Sequence, residues 1–392
     1  PVLQCGLSSK IFVSKPSGKQ SLSKNICPLR QSPGIDCFLQ RTLMRSFRNR
    51  TFAVILLIAT INVSSGGAGQ YASDDPLLQI ADTVLIYQRS TGGWPSNYDR
   101  SEPLSKDKQA IILNDRSKLD STMDNGATHQ EIRILAEAYR KSHEKKYRDS
   151  AMRGIQFLID GQYDNGGWPQ RYPQLSGYHQ HITYNDHAMI GVMELFRDIT
   201  IEDESFHFVS EDFKKLCEVA LEKGLTCILK TQVIIDGHLT VWCAQHDRTT
   251  LKPAKARSYE LPSLSGSESV GIVRYLMGIN NPDKNVEHSI EAAIAWFKRM
   301  KLNGVRQVRI EAPGTEKGSD KIVIQDPNAP PLWGRFYDLK TQKPFFCSRD
   351  GIPKSSLSDI SYERRNGYSW LGEYARDLLN KHYPLWKEQL NR

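Results

Sequence analysis

Two segments place a carboxylate beside an amide just ahead of an apolar, helix-spaced run. One is Leu119-Asp-Ser-Thr-Met-Asp-Asn-Gly-Ala-Thr128, with Asp120, Asp124 and Asn125; the other is Tyr184-Asn-Asp-His187, with Asn185 and Asp186. Taken singly, such residues cap a helix or close a turn. Recurring at the entries of two consecutive helical units, they are expected to bring Asp124 and Asp186 to one mouth. Paired carboxylates there suit either a hard cation such as calcium or an acid/base pair.

Three other residue groups carry chemistry. His179, His181 and His187 cluster, but neither H-E-x-x-H nor paired-cysteine spacing accompanies them, so zinc is disfavoured against polar lining or core roles. Trp94, Trp168, Trp242 and Trp333 lie in loops beside Gly, Pro or Arg, where an indole serves as a sugar platform, as a packing anchor, or as both. Basic residues gather late in the chain: Lys252, Lys255 and Arg257, then Arg335 in Trp333-Gly-Arg-Phe-Tyr337, then Lys343, Arg349, Arg364 and Arg365. Solvated surface is the ordinary fate of such residues. Interleaved with aromatics, however, arginine forks match carboxylates, and a wall of them facing Asp124 and Asp186 fits a cation-bridged acidic sugar.

The elements that must position these groups are mostly helices. Apolar periodicity predicts helices over about 76–89, 128–142, 147–161, 185–199, 209–231, 267–277, 286–301, 367–378 and 380–390. Thr128-His-Gln-Glu131 has the pattern of a capping box. Between 305 and 345 alternating and short apolar runs read as strands. Gly92-Gly-Trp-Pro95 recurs 74 residues later as Gly166-Gly-Trp-Pro169, and Asp236-Gly-His-Leu-Thr-Val-Trp242 is a looser copy after the same interval. That period holds two helices and a loop. The expected fold is therefore mainly α: helical hairpins arranged as an α/α barrel (toroid), a few short strands in the C-terminal third, and aromatic loops gathered at a site end.

The net charge of +8 invites a nucleic-acid reading, which its location removes. Residues 1–69 hold nine basic side chains and Asp36; subtracting nine from 52 and one from 44 leaves 43 of each sign, a formally neutral body. Bulk steering of a polyanion is thus not expected, nor is a nucleic-acid partner. Met44, the basic stretch Arg45–Arg50, apolar Phe52–Val63 and small-residue Ser64–Gly69 have the layout of a secretory signal. The expected organisation is an upstream leader or non-native extension over 1–43, a signal peptide over 44–70, and a catalytic domain over 71–392. The mature protein is then secreted, without a membrane association, and monomeric. Cys217, Cys227, Cys243 and Cys347 remain after it, an even number that permits one or two disulfides in an exported chain.

The ordered segments 119–133, 166–173, 184–188, 240–250, 257–268, 333–349 and 363–370 together resemble the pectate lyases of polysaccharide lyase family 10, over roughly residues 75 to 390. The resemblance implies an α/α barrel, calcium dependence, and cleavage of α-1,4-linked polygalacturonate by β-elimination to 4,5-unsaturated products. Carried over motif by motif, Asp124 and Asp186 hold calcium and Arg257 is the base that takes the C5 proton. Arg349 clamps a substrate carboxylate, and Asn125, Asn185, Arg335, Lys343 and Trp168 contact substrate. Two rival readings stand beside it: a glycoside hydrolase on a similar barrel, with the two aspartates as acid and base, and a non-catalytic polygalacturonate-binding protein.

Overall fold

The structure, a computed structural model, describes residues 75–390. The expected leader and signal peptide (1–43 and 44–70) lie outside the described residues. Within them, helices dominate and strands are short. Helix α1 (Pro76–Tyr87) starts where Asp75 accepts from the Leu77 amide (2.9 Å) and Pro76 needs no amide partner. Next come α2 (Lys106–Asn114), α3 (His129–Ser142), α4 (Lys145–Asp160), α5 (Ala188–Thr200) and α6 (Glu211–Thr231). After these follow α7 (Glu268–Met277), α8 (Lys284–Arg299), α9 (Tyr362–Gly367) and α10 (Tyr383–Leu390). Most expected spans agree to within three residues. Helix α2 was not foreseen, because it buries only Ile112 and so has no apolar stripe to read.

The expectation fails at two other places. Thr128 does not head a capping box. Its backbone has φ 70°, and its hydroxyl donates to the Thr122 carbonyl (2.8 Å) while accepting from the Trp94 amide (3.1 Å). Glu131 is fully buried, accepting from Tyr98 Oη (3.0 Å) and Arg100 Nε (2.7 Å). The second failure is the helix expected over 367–378. There the chain ends α9 at Gly367, pairs Leu371–Gly372 with Trp333–Gly334, and resumes in a π-helical turn, Leu378–His382, ahead of α10. Buried Trp370, held by its indole N–H to the Arg364 carbonyl (2.9 Å), pulls this stretch into a local core instead.

The helices pack as hairpins α3–α4, α5–α6 and α7–α8, set side by side. Neighbours run α1–α3–α5–α7 in one layer and α4–α6–α8 in the other. The aromatic repeat builds this stacking. The indole N–H of Trp94, Trp168 and Trp242 donates to a carbonyl near the end of a preceding helix: Val84 (2.8 Å), Leu158 (2.7 Å) and Ile228 (2.7 Å). A glutamine in each unit joins its own loop to the next outer helix. Gln88 donates to the Gly92 and Ser150 carbonyls, Gln162 to Gly166 and Ala220, and Gln232 to Thr240 and Ser289. Gly92 (φ 96°) and Gly166 (φ 91°) lie so close to that helix that a Cβ would strike the Arg153 or Lys223 carbonyl.

The C-terminal third adds an antiparallel hairpin, Val305–Glu311 against Ser319–Gln325, and a second core of Tyr259, Phe336, Phe346, Cys347 and Trp370 among others. This core carries the loops of Arg257 and Arg335. The four described cysteines, Cys217, Cys227, Cys243 and Cys347, are free and buried, so neither permitted disulfide forms among them. No described helix is long and apolar enough to cross a membrane.

Candidate active site

Two short helical turns stand ahead of α3 and α5: Asp124–Gly126 and Asn185–His187. In each, a left-handed residue turns the chain into the helix, Asn125 (φ 53°) in the first and Asp186 (φ 50°) in the second, followed by His187 (φ 64°). Asn and Asp tolerate this conformation because their short polar side chains bond locally. Carboxylate and amide have therefore exchanged order between the repeats, Asp124-Asn125 against Asn185-Asp186. The two turns pack against each other and line one cavity of about 320 Å³.

Six predicted residues share that cavity: Asp124, Asn125, Asn185, Asp186, Arg257 and Arg335. Asp124 Oδ1 is buried with no hydrogen-bond partner. Burial pushes the Asp124 carboxyl above the usual aspartate range; the Gln170 amide opposes this and the Asp186 charge adds to it. Asp186 is more open, accepting from Asn185 Nδ2, with Arg335 Nη2 3.8 Å from its Oδ1.

Basic groups line the same cavity, and two of them, Arg257 and Arg335, are each paired with a glutamate. Arg257 donates Nε (2.7 Å) and Nη2 to Glu260, whose carboxylate also accepts from the Arg257 amide (3.1 Å) and Tyr368 Oη (2.7 Å). That bond holds the Arg257 guanidinium well above even an ordinary arginine, although burial works against it. Burial also works against the charge on Glu260, but its bonds to Arg257 and Tyr368 prevail and keep its carboxyl below the usual glutamate value. Arg335 donates Nη2 to Glu268 (2.5 Å) and to Asn185 Oδ1 (3.2 Å), and its guanidinium stacks over Tyr368 at 4.8 Å. Its Nε is buried and unpartnered.

Three predicted residues lie elsewhere. Trp168 is a correction: it is completely buried, its indole committed to the Leu158 carbonyl, so no sugar can stack on it. Lys343 is a second. It is exposed at the end of the Asp338–Lys343 turn, where its carbonyl accepts from the Asp338 amide (2.9 Å), and its side chain does not line the cavity. Arg349 is exposed outside the lining and donates Nε (3.2 Å) and Nη2 (2.9 Å) to Glu363. It nevertheless reaches the Tyr259 ring (5.9 Å), which Arg257 (5.1 Å) and Arg364 (4.5 Å) also cover. Asp120 is withdrawn too, in a two-pronged pair with Arg89 (2.7 and 3.0 Å).

Sequence reasoning missed several lining residues. Ser96, Asn97, Gln170 and Arg171 follow Trp94 and Trp168 at two and three positions' distance, and Gln245 follows Trp242 at three. That recurrence was the available signal: a buried tryptophan anchors each loop, so the residues just past it reach the mouth. Tyr178, Glu260 and Tyr368 had no such marker. His179 bonds Gln170 Oε1 (2.8 Å), which fits the polar-lining reading of the histidines. His187 turns away to Glu194 (2.8 Å).

A model of the pectic acid lyase family matches residues 88–379. The chain belongs to that family. It is a polysaccharide lyase. Two similar solved structures are a family 10 polysaccharide lyase from Cellvibrio cellulosa and an Asp-to-Ala mutant of a family 10 lyase from that organism in complex with trigalacturonic acid. Each is 35% identical with TM-score 0.67, covering 78% of this lyase and 91% or 92% of the other chain. Among curated proteins none matches.

Proposed function

We propose that this lyase cleaves α-1,4-linked polygalacturonate by β-elimination with calcium bound, releasing 4,5-unsaturated oligogalacturonates. One observation carries the reading: a polar cavity whose lining brings the Asp124 and Asp186 carboxylates together with the Arg257 and Arg335 guanidinium groups, with Arg171 and Glu260 also in the lining. The relative bound to trigalacturonic acid supports the same substrate class.

The donors fit a hard cation. Asp124 presents an orphaned carboxylate oxygen, Asp186 a solvent-exposed carboxylate, and Asn125 an amide bonded to Asp124 Oδ2 (3.3 Å), all in the same lining. Among the described residues no group of three or more His, Cys, Asp or Glu could hold a metal ion, so a cation here would rest on two carboxylates together with substrate and water. Asp124 and Asp186 are the residues that would hold calcium, and the substrate and water supply the remaining ligands. When bound, the ion neutralises the uronate carboxylate and stabilises the negative charge that develops on it.

The chain's own residues do the rest. Arg335, fixed by Glu268 and Asn185, holds positive charge toward the same carboxylate. Arg257, in its neutral form, removes the C5 proton, and Arg349 leaves Glu363 to clamp a second substrate carboxylate. Asn125 and Asn185 orient substrate hydroxyls. The two layers of hairpins are proposed to belong to a toroid. Catalytic residues 71–392 are proposed to act outside the cell as a monomer, after loss of a 44–70 signal. The test is digestion of polygalacturonate followed by absorbance of the unsaturated product. Absorbance should rise and be abolished by a calcium chelator, whereas chain cleavage without it would favour hydrolysis and sink the reading.

A further inference from the structure

We propose that Glu260 is a positioning residue that selects which nitrogen of Arg257 becomes the base, holding protons on Nε and Nη2 so that the lone pair of neutral Arg257 sits on Nη1. The inference rests on the proposed role of Arg257 and deepens it. A guanidinium has no lone pair to accept a proton. It acts as a base only after losing one, and the nitrogen that loses it becomes the imine-like acceptor. Three nitrogens could do so, and only one placement is productive.

The geometry removes the ambiguity. Nε and Nη2 both donate to the Glu260 carboxylate, while Nη1 makes no hydrogen bond among the described residues and remains on a side chain that is 41% exposed and lines the cavity. Glu260 is itself fixed: its side chain is 4% exposed, and it accepts from Tyr368 Oη (2.7 Å) and the Arg257 amide (3.1 Å) as well. A carboxylate has acceptors only, so it favours the tautomer that keeps both facing N–H groups. The logic is that of the buried aspartate that fixes the tautomer of a catalytic histidine. By contrast, Glu363 is 46% exposed and shared between Arg349 and Arg364, so it confers no comparable constraint.

The step then balances. Nη1 takes the C5 proton, the C5–H electron pair becomes the C4=C5 double bond, and the C4–O4 bond breaks with its pair on oxygen, which takes a proton from water. Nothing is oxidised or reduced. The resulting guanidinium returns its Nη1 proton to solvent from the open side. The same carboxylate favours the charged guanidinium, so it raises the pH at which the base forms while directing where the lone pair lies.

These opposing effects give the test. Glu260→Gln removes the charge and sets an amide donor against an N–H. Its kcat plateau should fall about 100-fold, with KM for polygalacturonate unchanged within about threefold, and the acid limb of kcat against pH should move to lower pH. Glu260→Asp should recover part of the plateau. A Glu260→Gln enzyme with wild-type plateau and wild-type acid limb overturns the proposal, as does a fall in plateau with an unmoved limb. Should Glu260→Gln not fold, Tyr368→Phe decides. Glu260 then loses a competing donor and binds Arg257 harder, so the acid limb must move to higher pH; an unmoved limb overturns the proposal. Failure of the base assignment itself reads differently, as an Arg257→Ala enzyme that still forms unsaturated product.

Discussion

The two walls of the cavity are prepared in opposite ways. On the acidic wall the two carboxylates sit on paired left-handed turns that line one cavity, and Asp124 keeps a buried oxygen with no partner among the described residues. On the basic wall the charges of Arg257 and Arg335 are paired, with Glu260 and Glu268, even though Arg335 Nε is buried without a hydrogen-bond partner. Like charges brought together at low dielectric repel and leave a deficit, whereas a buried ion pair is internally neutral. Under the proposed mechanism, such a site takes a cation before an anion. In that reading the positive wall supplies orientation, and net attraction for a polyanion arises once a cation fills the acidic wall. This accounts for a formally neutral body acting on a charged polymer.

The sharpest way to break this contrast is to remove the base. Arg257→Ala should lower the rate of unsaturated-product formation by roughly 1,000-fold or more, within the range of general-base losses, while binding of calcium and oligogalacturonate persists. In the wild type, Glu260 keeps Arg257 charged to high pH, so kcat should climb through the alkaline range. A flat profile from neutral to alkaline pH would contradict the assignment.

Next is the neutrality of the basic wall. Glu268 is 4% and Arg335 12% exposed, so Glu268→Ala strands a buried charge and should cost about 3 kcal/mol of stability, seen as a lower urea midpoint with an unchanged slope. Double replacement, Glu268→Leu with Arg335→Met, should recover much of it.

On the acidic wall, Asp124→Asn and Asp186→Asn should each lower activity at limiting calcium by about 100-fold, equivalent to about 2.7 kcal/mol, with partial recovery as calcium is raised. Isothermal titration of calcium with each variant measures it, and unchanged affinity in both would remove these residues as ligands. The smallest effect belongs to the anchors. Trp168→Phe loses one buried indole hydrogen bond and should cost about 1–2 kcal/mol in thermal stability, with KM unaltered. A selective rise in KM would restore Trp168 to the substrate.

Much of the helical framework was legible. The stripes of α3 and α5 and the 74-residue recurrence follow directly from burial of one face of each helix. So was the convergence of Asp124 and Asp186, because repetition of a unit carries its entry turn to the same end. The capping box failed because Glu131 found a buried partner in Arg100, a contact 31 residues distant. Trp168 was ambiguous because an indole in a Gly-Pro loop looks the same whether it faces sugar or core. Arg349 and Lys343 look equally catalytic beside Arg257 and Arg335, yet only the latter two enter the cavity.

By itself, then, the sequence determined the residue types, the helical period and the family, since these depend on patterns local to one unit or recurring between units. Tertiary structure alone decided which charges are satisfied. Glu260 lies three residues from Arg257, but Tyr368, 108 residues from Glu260, closes the same bond set, and Asn185 meets Arg335 across 150 residues. Solvation and pairing belong to positions in space, and they set residues of one type apart: Arg257 and Arg335 line the cavity, Arg349 stays outside its lining, and Arg89 is committed to Asp120.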